Sequence, residues 1–159
     1  LLGRTKTVND YFHEKGYKHF SILATEAEMH QDWPTQFLNW TTPDESNKIL
    51  SAFYGEELLS KQSTGFLWKI MTETATGKKR IKGQLPEGTV VGHKTGSSGT
   101  NEKGITAAVN NIGIVSLPNG KHFSISVFVS NSTEKLETNE KIIADISKLA
   151  WDYFLNKKD

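Results

Sequence analysis

The spacing of apolar residues changes once along the chain, near Gly83. Before this glycine, apolar residues recur every three to four positions in short stretches, a pattern typical of amphipathic helices. After it, residues 89–96, 106–117 and 121–130 alternate between apolar and polar or are mostly apolar, which predicts three strands. Because a Pro-Asn-Gly turn joins the second strand to the third, we expect an antiparallel meander.

Four helices are predicted from capping signals and apolar stripes. The first begins at Thr5 or Thr7 and stops at Gly16, and the second covers residues 43–54. The third is capped by Ser60 and ended by Gly77, and the last opens at residue 138. The predicted buried faces are Ile49, Leu50 and Phe53; Phe66, Leu67, Ile70, Met71 and Thr74; and Ile142, Ile146, Leu149, Ala150 and Tyr153.

Residues 25–42 have neither a helical nor a strand period and are rich in polar side chains and tryptophan. An irregular stretch of this length inside a compact domain is usually functional. We therefore predict an Ω-loop that packs on itself.

The order of elements predicts an α+β fold: helices, then an antiparallel sheet, then a covering helix. We expect residues 1–83 to be part of an all-helical domain that carries the loop, and residues 84–159 to be part of an α/β domain. A sheet of three strands leaves one edge bare. Together with the opening Leu1-Leu2-Gly3-Arg4, this indicates that the chain is part of a longer protein.

The composition excludes several classes of protein. Lys and Arg number 19 against 18 Asp and Glu, so there is no basic excess for binding nucleic acid. With no cysteine, disulfides, thiolate nucleophiles and cysteine metal sites are excluded. No apolar run approaches the roughly 20 residues of a membrane span. No metal or organic cofactor is expected, and four histidines without metal-binding spacing are interpreted as structural: His13, His19, His93 and His122.

The run His-Lys-Thr-Gly-Ser-Ser-Gly at residues 93–99 ends the first predicted strand. Lys94 is a cation beside the hydroxyls of Thr95 and Ser97, and Gly96 lets a ligand approach the backbone closely. Such a strand end suits a carboxylate-bearing substrate laid along a sheet edge. Lys-Thr-Gly by itself is also compatible with a plain strand that ends in a turn.

Three stretches resemble class A serine β-lactamases, particularly their cephalosporinase-like, extended-spectrum branch. They are Val-Val-Gly-His-Lys-Thr-Gly-Ser-Ser-Gly at 90–99, Ala-Thr-Glu-Ala-Glu-Met-His at 24–30 and Thr-Asn-Glu-Lys-Ile-Ile-Ala at 138–144. The resemblance covers the C-terminal portion of the family's length. It implies hydrolysis of penicillins or cephalosporins through a serine acyl-enzyme, in the bacterial periplasm or outside the cell.

The resemblance assigns two residues of the predicted Ω-loop to catalysis. Glu26 matches the family's general base, which activates the water that hydrolyses the acyl-enzyme. His30 stands where most relatives have an asparagine that helps to hold this water. The alternatives are a solvated surface acid for Glu26 and a histidine that packs within the loop for His30, while Glu28 and Asp32 are interpreted as surface acids.

The resemblance also assigns roles around the Lys-Thr-Gly motif. Lys94 stabilises the substrate carboxylate and tunes proton transfer, and the hydroxyls of Thr95 and Ser97 bind that carboxylate beside Gly96. The Ser97 N–H is one of two oxyanion-hole donors. Arg80 supplies a second anchor for the carboxylate; its alternative is a solvated member of the basic cluster 78–80.

Two departures from the family pattern stand out. The positions of its loop-pinning Arg–Asp ion pair correspond to Ala24 and Asn39, so we expect packing of Trp33, Phe37 and Trp40 to hold the loop instead. There is no Ser-Asp-Asn, and the one Ser-x-x-Lys begins at Ser132, after the last strand.

The resemblance therefore places the nucleophilic serine in an N-terminal half of the same protein, which becomes the expected partner, and the chain alone is expected to be inactive. A penicillin-binding transpeptidase and a non-catalytic fragment are the alternatives.

Overall fold

The computed structural model describes residues 3–157, which divide into two compact units between Ile49 and Leu50. The expectation drawn from Leu1 and Leu2 lies outside the described residues. The boundary expected near residue 83 concerns the domains of a longer protein and stays a prediction. Within residues 3–157, no helix combines the length and apolarity needed to cross a bilayer.

The first unit consists of short elements. They are α1 (Thr5–Glu14), β1 (Phe20–Ser21), α2 (Glu26–Met29), a 3₁₀ turn (Pro34–Leu38), β2 (Trp40–Thr41) and the start of α3 (Pro43–Tyr54). The predicted cap of α1 is wrong, because Thr5 is itself helical and its hydroxyl donates to the Leu23 carbonyl at 3.1 Å. The stop at Gly16 is confirmed, since this glycine has a φ of +93°.

The second unit contains the predicted sheet. Its elements are α4 (Lys61–Glu73), a 3₁₀ turn (Ile81–Gln84), β3 (Val91–Ser97), β4 (Thr106–Ser116), β5 (His122–Ser132) and α5 (Leu136–Asn156). The strands are antiparallel in the order β3-β4-β5. The α+β fold and the meander are therefore confirmed.

Apolar clusters cover both faces of the sheet. On one face, Val91, Val109 and Val115 pack with Ile143 and Trp151 of α5. On the other, Ile114 packs with residues of α3 and α4, namely Leu50, Phe53 and Met71. The strands are therefore held between helices, as alternating side chains of a sandwiched sheet require.

The predicted buried face of α5 is largely wrong. Leu149 is 70% exposed and Tyr153 is 61% exposed, and Ile142 and Ile146 are exposed as well. The inward positions are instead Asn139, Ile143, Ala144, Ser147 and Trp151. Both polar members are satisfied: Asn139 accepts from the Ser132 hydroxyl at 2.8 Å, and Ser147 donates to the Ile143 carbonyl at 2.7 Å. These hydrogen bonds compensate for the burial of the two polar side chains.

The third helix also differs from its prediction. The cap is confirmed, since the Ser60 hydroxyl accepts from the Ser63 N–H, and Met71 is buried. However, Phe66 and Ile70 are exposed. Gly77 does not end this helix, which stops at Glu73.

We expect Gly92→Ala to destabilise the second unit. An added Cβ there would lie 2.3 Å from the Trp68 ring, and overpacking of this kind costs about 1–3 kcal/mol of unfolding free energy. Gly65→Ala is the matched control on α4, where a Cβ would have no neighbour within 4 Å and should add up to about 1 kcal/mol through helix propensity. Chemical denaturation followed by circular dichroism measures both changes. Equal effects of the two substitutions would contradict the contact between Trp68 and β3.

Candidate active site

The end of β3 presents the Lys-Thr-Gly motif. Alternation along the strand places Lys94 on the face opposite His93, which is buried, while Lys94 itself is exposed. The Lys94 ammonium donates to the Thr95 carbonyl at 2.6 Å. Gly96 and Ser97 are also exposed. The cation and the motif's exposed positions are thus available to a ligand at this strand end.

Arg80 fastens this strand end from within the protein. The residue is only 5% exposed, so the alternative of a solvated arginine is wrong. Its Nη1 donates to the carbonyls of Gly96 and Asn110 at 3.1 and 2.8 Å, and its Nη2 donates to the Ser97 hydroxyl at 2.7 Å. One guanidinium therefore holds both the backbone and a side chain of the motif.

The charge of Arg80 is balanced by a carboxylate of α5. Arg80 Nε lies 3.2 Å from Glu140 Oε1, and the two side chains are 6% and 14% exposed. Four of the five guanidinium N–H groups are thereby engaged. Because Arg80 is buried and Glu140 is largely shielded from solvent, removal of either partner would leave a poorly compensated charge.

A second support was not found from the sequence. The Thr95 hydroxyl lies 3.2 Å from the Thr76 hydroxyl, which in turn lies 3.3 Å from that of Thr74. A Cβ at Gly77, whose φ is +65°, would lie 2.3 Å from the Thr95 methyl carbon. Gly77 thus permits close packing against Thr95 of the motif. The sequence did not indicate this role, because a glycine that follows a predicted helix is interpreted as its end.

In the first unit, the predicted Ω-loop (residues 25–42) is closed by hydrogen bonds of Asn39. Its Oδ1 accepts from the backbone N–H groups of Leu23 and Ala24 at 2.8 and 2.9 Å, and its Nδ2 donates to the Ala24 carbonyl at 2.9 Å. The pairing of β1 with β2 joins the two ends of the loop next to these bonds. The neutral amide of Asn39 therefore joins the two ends of this loop by hydrogen bonds.

The expected aromatic packing contributes little to this closure. Trp33 and Phe37 make one edge-to-face contact with centroids 6.1 Å apart. Phe37 and Trp40 are nonetheless 45% and 50% exposed. The prediction was wrong because it overlooked the hydrogen-bonding capacity of an asparagine beside free backbone groups.

The two loop residues assigned to catalysis lie at the two ends of α2: Glu26 is its first residue and His30 caps its C-terminus. Glu26 Oε1 lies 3.2 Å from His30 Nε2, and the side chains are 81% and 77% exposed. One helical turn separates them, which places both on the same face. His30 is thus in contact with Glu26 and is not packed within the loop.

The other acids of the loop, Glu28 and Asp32, are exposed, which confirms their interpretation as surface acids, and each also has a local structural role. Glu28 forms a capping box with Thr25, and the Thr25 backbone N–H and hydroxyl that donate to it lower the pKa of its carboxyl. Asp32 accepts from the Thr35 backbone N–H at 2.9 Å. Glu26 is therefore the acid of α2 that does not cap the helix.

The site residues thus form two groups. Arg80, Lys94, Thr95, Gly96 and Ser97 come together in the second unit, and Glu26 and His30 come together in the first. The sequence did not indicate a role for Thr76, which belongs to no motif, or for Glu140, which lies in the 138–144 stretch but whose contact with Arg80 forms only in the folded chain.

Comparisons with known proteins identify the family. A sequence model of the beta-lactamase enzyme family matches residues 1–154. The chain is 52% identical to beta-lactamase VEB-1 of Pseudomonas aeruginosa over 99% of its length and 53% of that relative. It is 44% identical to the extended-spectrum beta-lactamase PER-1 of the same organism, over 99% of its length and 51% of that relative. The chain therefore spans about half the length of these curated relatives.

Solved structures give the same result. The extended-spectrum beta-lactamase TLA-3 is 58% identical and superimposes with a TM-score of 0.96, over 97% of this chain and 56% of that one. A class A beta-lactamase from Bacteroides cellulosilyticus is 43% identical with a TM-score of 0.93, over 98% and 56% of the two chains. PBP-A, at 24% identity and a TM-score of 0.75, shares the fold alone over 96% of this chain and 52% of its own.

The Asn39 contacts predict a specific change in hydrogen exchange. In Asn39→Ala, the amides of Leu23 and Ala24 lose their acceptor, so we expect them to exchange roughly five- to tenfold faster, as the loss of about 1 kcal/mol implies. Asn39→Asp is the comparison variant: its carboxylate still accepts from both amides but loses the bond to the Ala24 carbonyl, so we expect these amides to stay better protected than in Asn39→Ala. Unchanged protection of these amides in Asn39→Ala would contradict the closure by Asn39.

Proposed function

Because the chain belongs to the beta-lactamase enzyme family, we propose that it is the C-terminal portion of a class A serine β-lactamase. The parent enzyme hydrolyses the lactam ring of penicillins and cephalosporins through a serine acyl-enzyme. This portion supplies the deacylation base and the carboxylate-binding strand. The identities of 52% with VEB-1 and 44% with PER-1 support this proposal.

The single observation that carries the proposal is the buried Arg80 guanidinium behind β3. Its contacts with Gly96 and Ser97 fix the strand end that bears an exposed ammonium and hydroxyl. Penicillins and cephalosporins carry a carboxylate next to the lactam ring. A fixed cationic strand end of this kind binds such a carboxylate without first having to become ordered.

We assign the groups of this strand end as follows. The Lys94 ammonium attracts the substrate carboxylate, and the hydroxyls of Thr95 and Ser97 donate hydrogen bonds to it. Arg80 reaches the carboxylate through Ser97, whose hydroxyl it holds at 2.7 Å. The Ser97 backbone N–H is one donor of the oxyanion hole, which stabilises the charge that develops on the lactam oxygen.

The loop supplies the second half of the chemistry. Glu26 takes a proton from water as this water attacks the ester of the acyl-enzyme. His30, 3.2 Å from Glu26, helps to hold the water in place of the family's asparagine. The imidazole can do so because it carries both a donor and an acceptor nitrogen when neutral.

The nucleophilic serine belongs to an N-terminal half of the same protein, which is the partner of this chain. The only Ser-x-x-Lys here starts at Ser132, whose hydroxyl donates to Asn139 and accepts from the Glu134 N–H. The exposed apolar residues of α4 and α5 fit a surface that the missing half covers; they are Phe66, Leu67, Ile70, Ile142, Ile146, Leu149 and Tyr153.

The alternative of a penicillin-binding transpeptidase is not favoured. The likeness to PBP-A concerns the fold, whereas Glu26 stands at the position of the β-lactamase base. We further propose that the parent protein works in the periplasm or outside the cell and needs no cofactor.

We expect Glu26→Gln, in the complete enzyme, to acylate normally and to hydrolyse the acyl-enzyme at least a hundredfold more slowly, because general base catalysis typically contributes 10²–10⁴-fold. Mass spectrometry after mixing with a cephalosporin would then detect a persistent covalent adduct. Glu87→Gln, which changes an exposed acid outside the loop, is the matched control and should turn over normally.

Full turnover by Glu26→Gln would show that the base lies elsewhere. The 159-residue chain alone should leave a chromogenic cephalosporin intact and carry no adduct. Hydrolysis by the isolated chain would contradict the placement of the nucleophile in an N-terminal half.

The Arg80 contacts predict an effect on substrate binding. In the complete enzyme, Arg80→Ala should raise KM about tenfold and change kcat less, because it frees the Ser97 hydroxyl and removes a positive charge. Arg80→Lys keeps the positive charge but lacks the several N–H donors of the guanidinium, so it should give an intermediate KM and destabilise the fold less than Arg80→Ala. The exposed neighbour Lys79 provides the control Lys79→Ala. An unchanged KM in both Arg80 variants would disprove the role.

A further inference from the structure

The residue before Lys94 connects the motif to the core of the sheet. The His93 imidazole is 1% exposed, and its Nδ1 lies 3.2 Å from Asn111 Oδ1. Asn111 is fully buried on β4, directly opposite Thr95 in the strand register. The imidazole thus attaches the strand that bears the motif to the central strand.

This contact determines the tautomer of His93. With the Asn111 amide oriented as in the structure, its oxygen faces Nδ1 and can only accept a hydrogen bond, so this arrangement assigns the proton to Nδ1. Nε2 is then an unprotonated acceptor, and it has no hydrogen-bond partner within residues 3–157. A second proton would convert Nε2 into a charged, buried donor without an acceptor, which is costly.

The charged groups near His93 oppose a second proton too. Lys94 neighbours it on β3, and Arg80 and Lys82 approach from the segment before the sheet. The carboxylate of Glu140 on α5 is already paired with Arg80. Burial first, and then these cations, hold the pKa of His93 below its ordinary value of 6.5, although the bond to Asn111 acts in the opposite direction.

The packing leaves the ring little freedom. Gly113 lies opposite His93, and a Cβ there would be 2.8 Å from the His93 Cβ. The Cβ of His93 therefore packs directly against the backbone of β4 at Gly113. A displaced ring loses its hydrogen bond to Asn111 on β4, so we expect the neighbouring residues Lys94 and Thr95 to be held less firmly.

We propose that His93 is a positioning residue that orders the strand end at Lys94–Ser97 only while its imidazole is neutral. Protonation leaves the Nδ1–H able to donate to Asn111, but it creates a charged donor without an acceptor at the buried Nε2. This cost favours displacement of the ring from its site, which loosens the carboxylate-binding strand. The consequence for substrate rests on the proposed function, whereas the protonation and its effect on the strand do not.

The direction of the pH dependence follows from linkage. Because the pKa of His93 is lower in the folded chain, the unfolded chain takes up a proton first as the pH falls below about 6.5. The contribution of His93 to stability is therefore complete above that pH and is lost as the pH falls from about 6.5 toward the lower, folded-state pKa.

Nuclear magnetic resonance of the labelled 159-residue chain tests the inference without turnover. We expect the ring nitrogens of His93 to show the Nδ1–H tautomer at neutral pH. Below pH 6.5, the backbone amides of Thr95, Gly96 and Ser97 should shift with the same midpoint as the ring. In His93→Gln, which cannot titrate but can still donate to Asn111, this shift should disappear.

The control is His122→Gln, which removes an exposed histidine on β5 and should preserve the shift. A charged His93 ring at neutral pH, an Nε2–H tautomer, or an amide shift that persists in His93→Gln would each overturn the proposal. Each of these results concerns the chain itself and leaves the assignment of a β-lactamase function unaffected.

In the complete enzyme, the KM for a penicillin should rise several-fold as the pH is lowered through the midpoint at which the His93 ring titrates, with a smaller change in kcat. This rise should be absent from His93→Gln and present in His122→Gln. An identical pH dependence of KM in the His93→Gln variant and the unmodified enzyme would refute the coupling. Absence of turnover at every pH would instead count against the proposed function.

Discussion

The buried guanidinium of Arg80 is the interaction on which the candidate site depends. A buried cation is stable only if its N–H groups have hydrogen-bond acceptors and its charge is paired with an opposite charge. Here the matching groups come from β3, from β4 and from α5, through Gly96, Ser97, Asn110 and Glu140. The requirement to satisfy one side chain therefore holds three elements in a single arrangement. The exposed side of the motif remains free for a ligand.

Local patterns predicted the parts of the fold that depend on local physics. The strands follow from their apolar spacing and the capped start of α4 from Ser60, because each signal lies within a few residues of its effect. The inward face of α5 could not be predicted in this way. The helix has two apolar sides, and the buried one includes Asn139 and Ser147, whose partners become available only in the folded chain.

The same distinction applies to the site. Motif residues such as Lys94 and Thr95 could be located by resemblance, because their order in the sequence is sufficient. Glu140 could not, since it lies 60 residues from Arg80 and joins it only through the packing of α5. The role of Asn111 could not be predicted for a similar reason, because it depends on the strand register, which pairs Asn111 with Thr95.

The closure of the Ω-loop by Asn39 has a consequence for the conditions under which the loop keeps its shape. An ion pair weakens as dissolved electrolyte screens it and fails when its carboxylate becomes protonated. A carboxamide carries no net charge and does not titrate in water, so its bonds to Leu23 and Ala24 respond to neither change. The loop of this protein is therefore fastened in a manner indifferent to ionic strength.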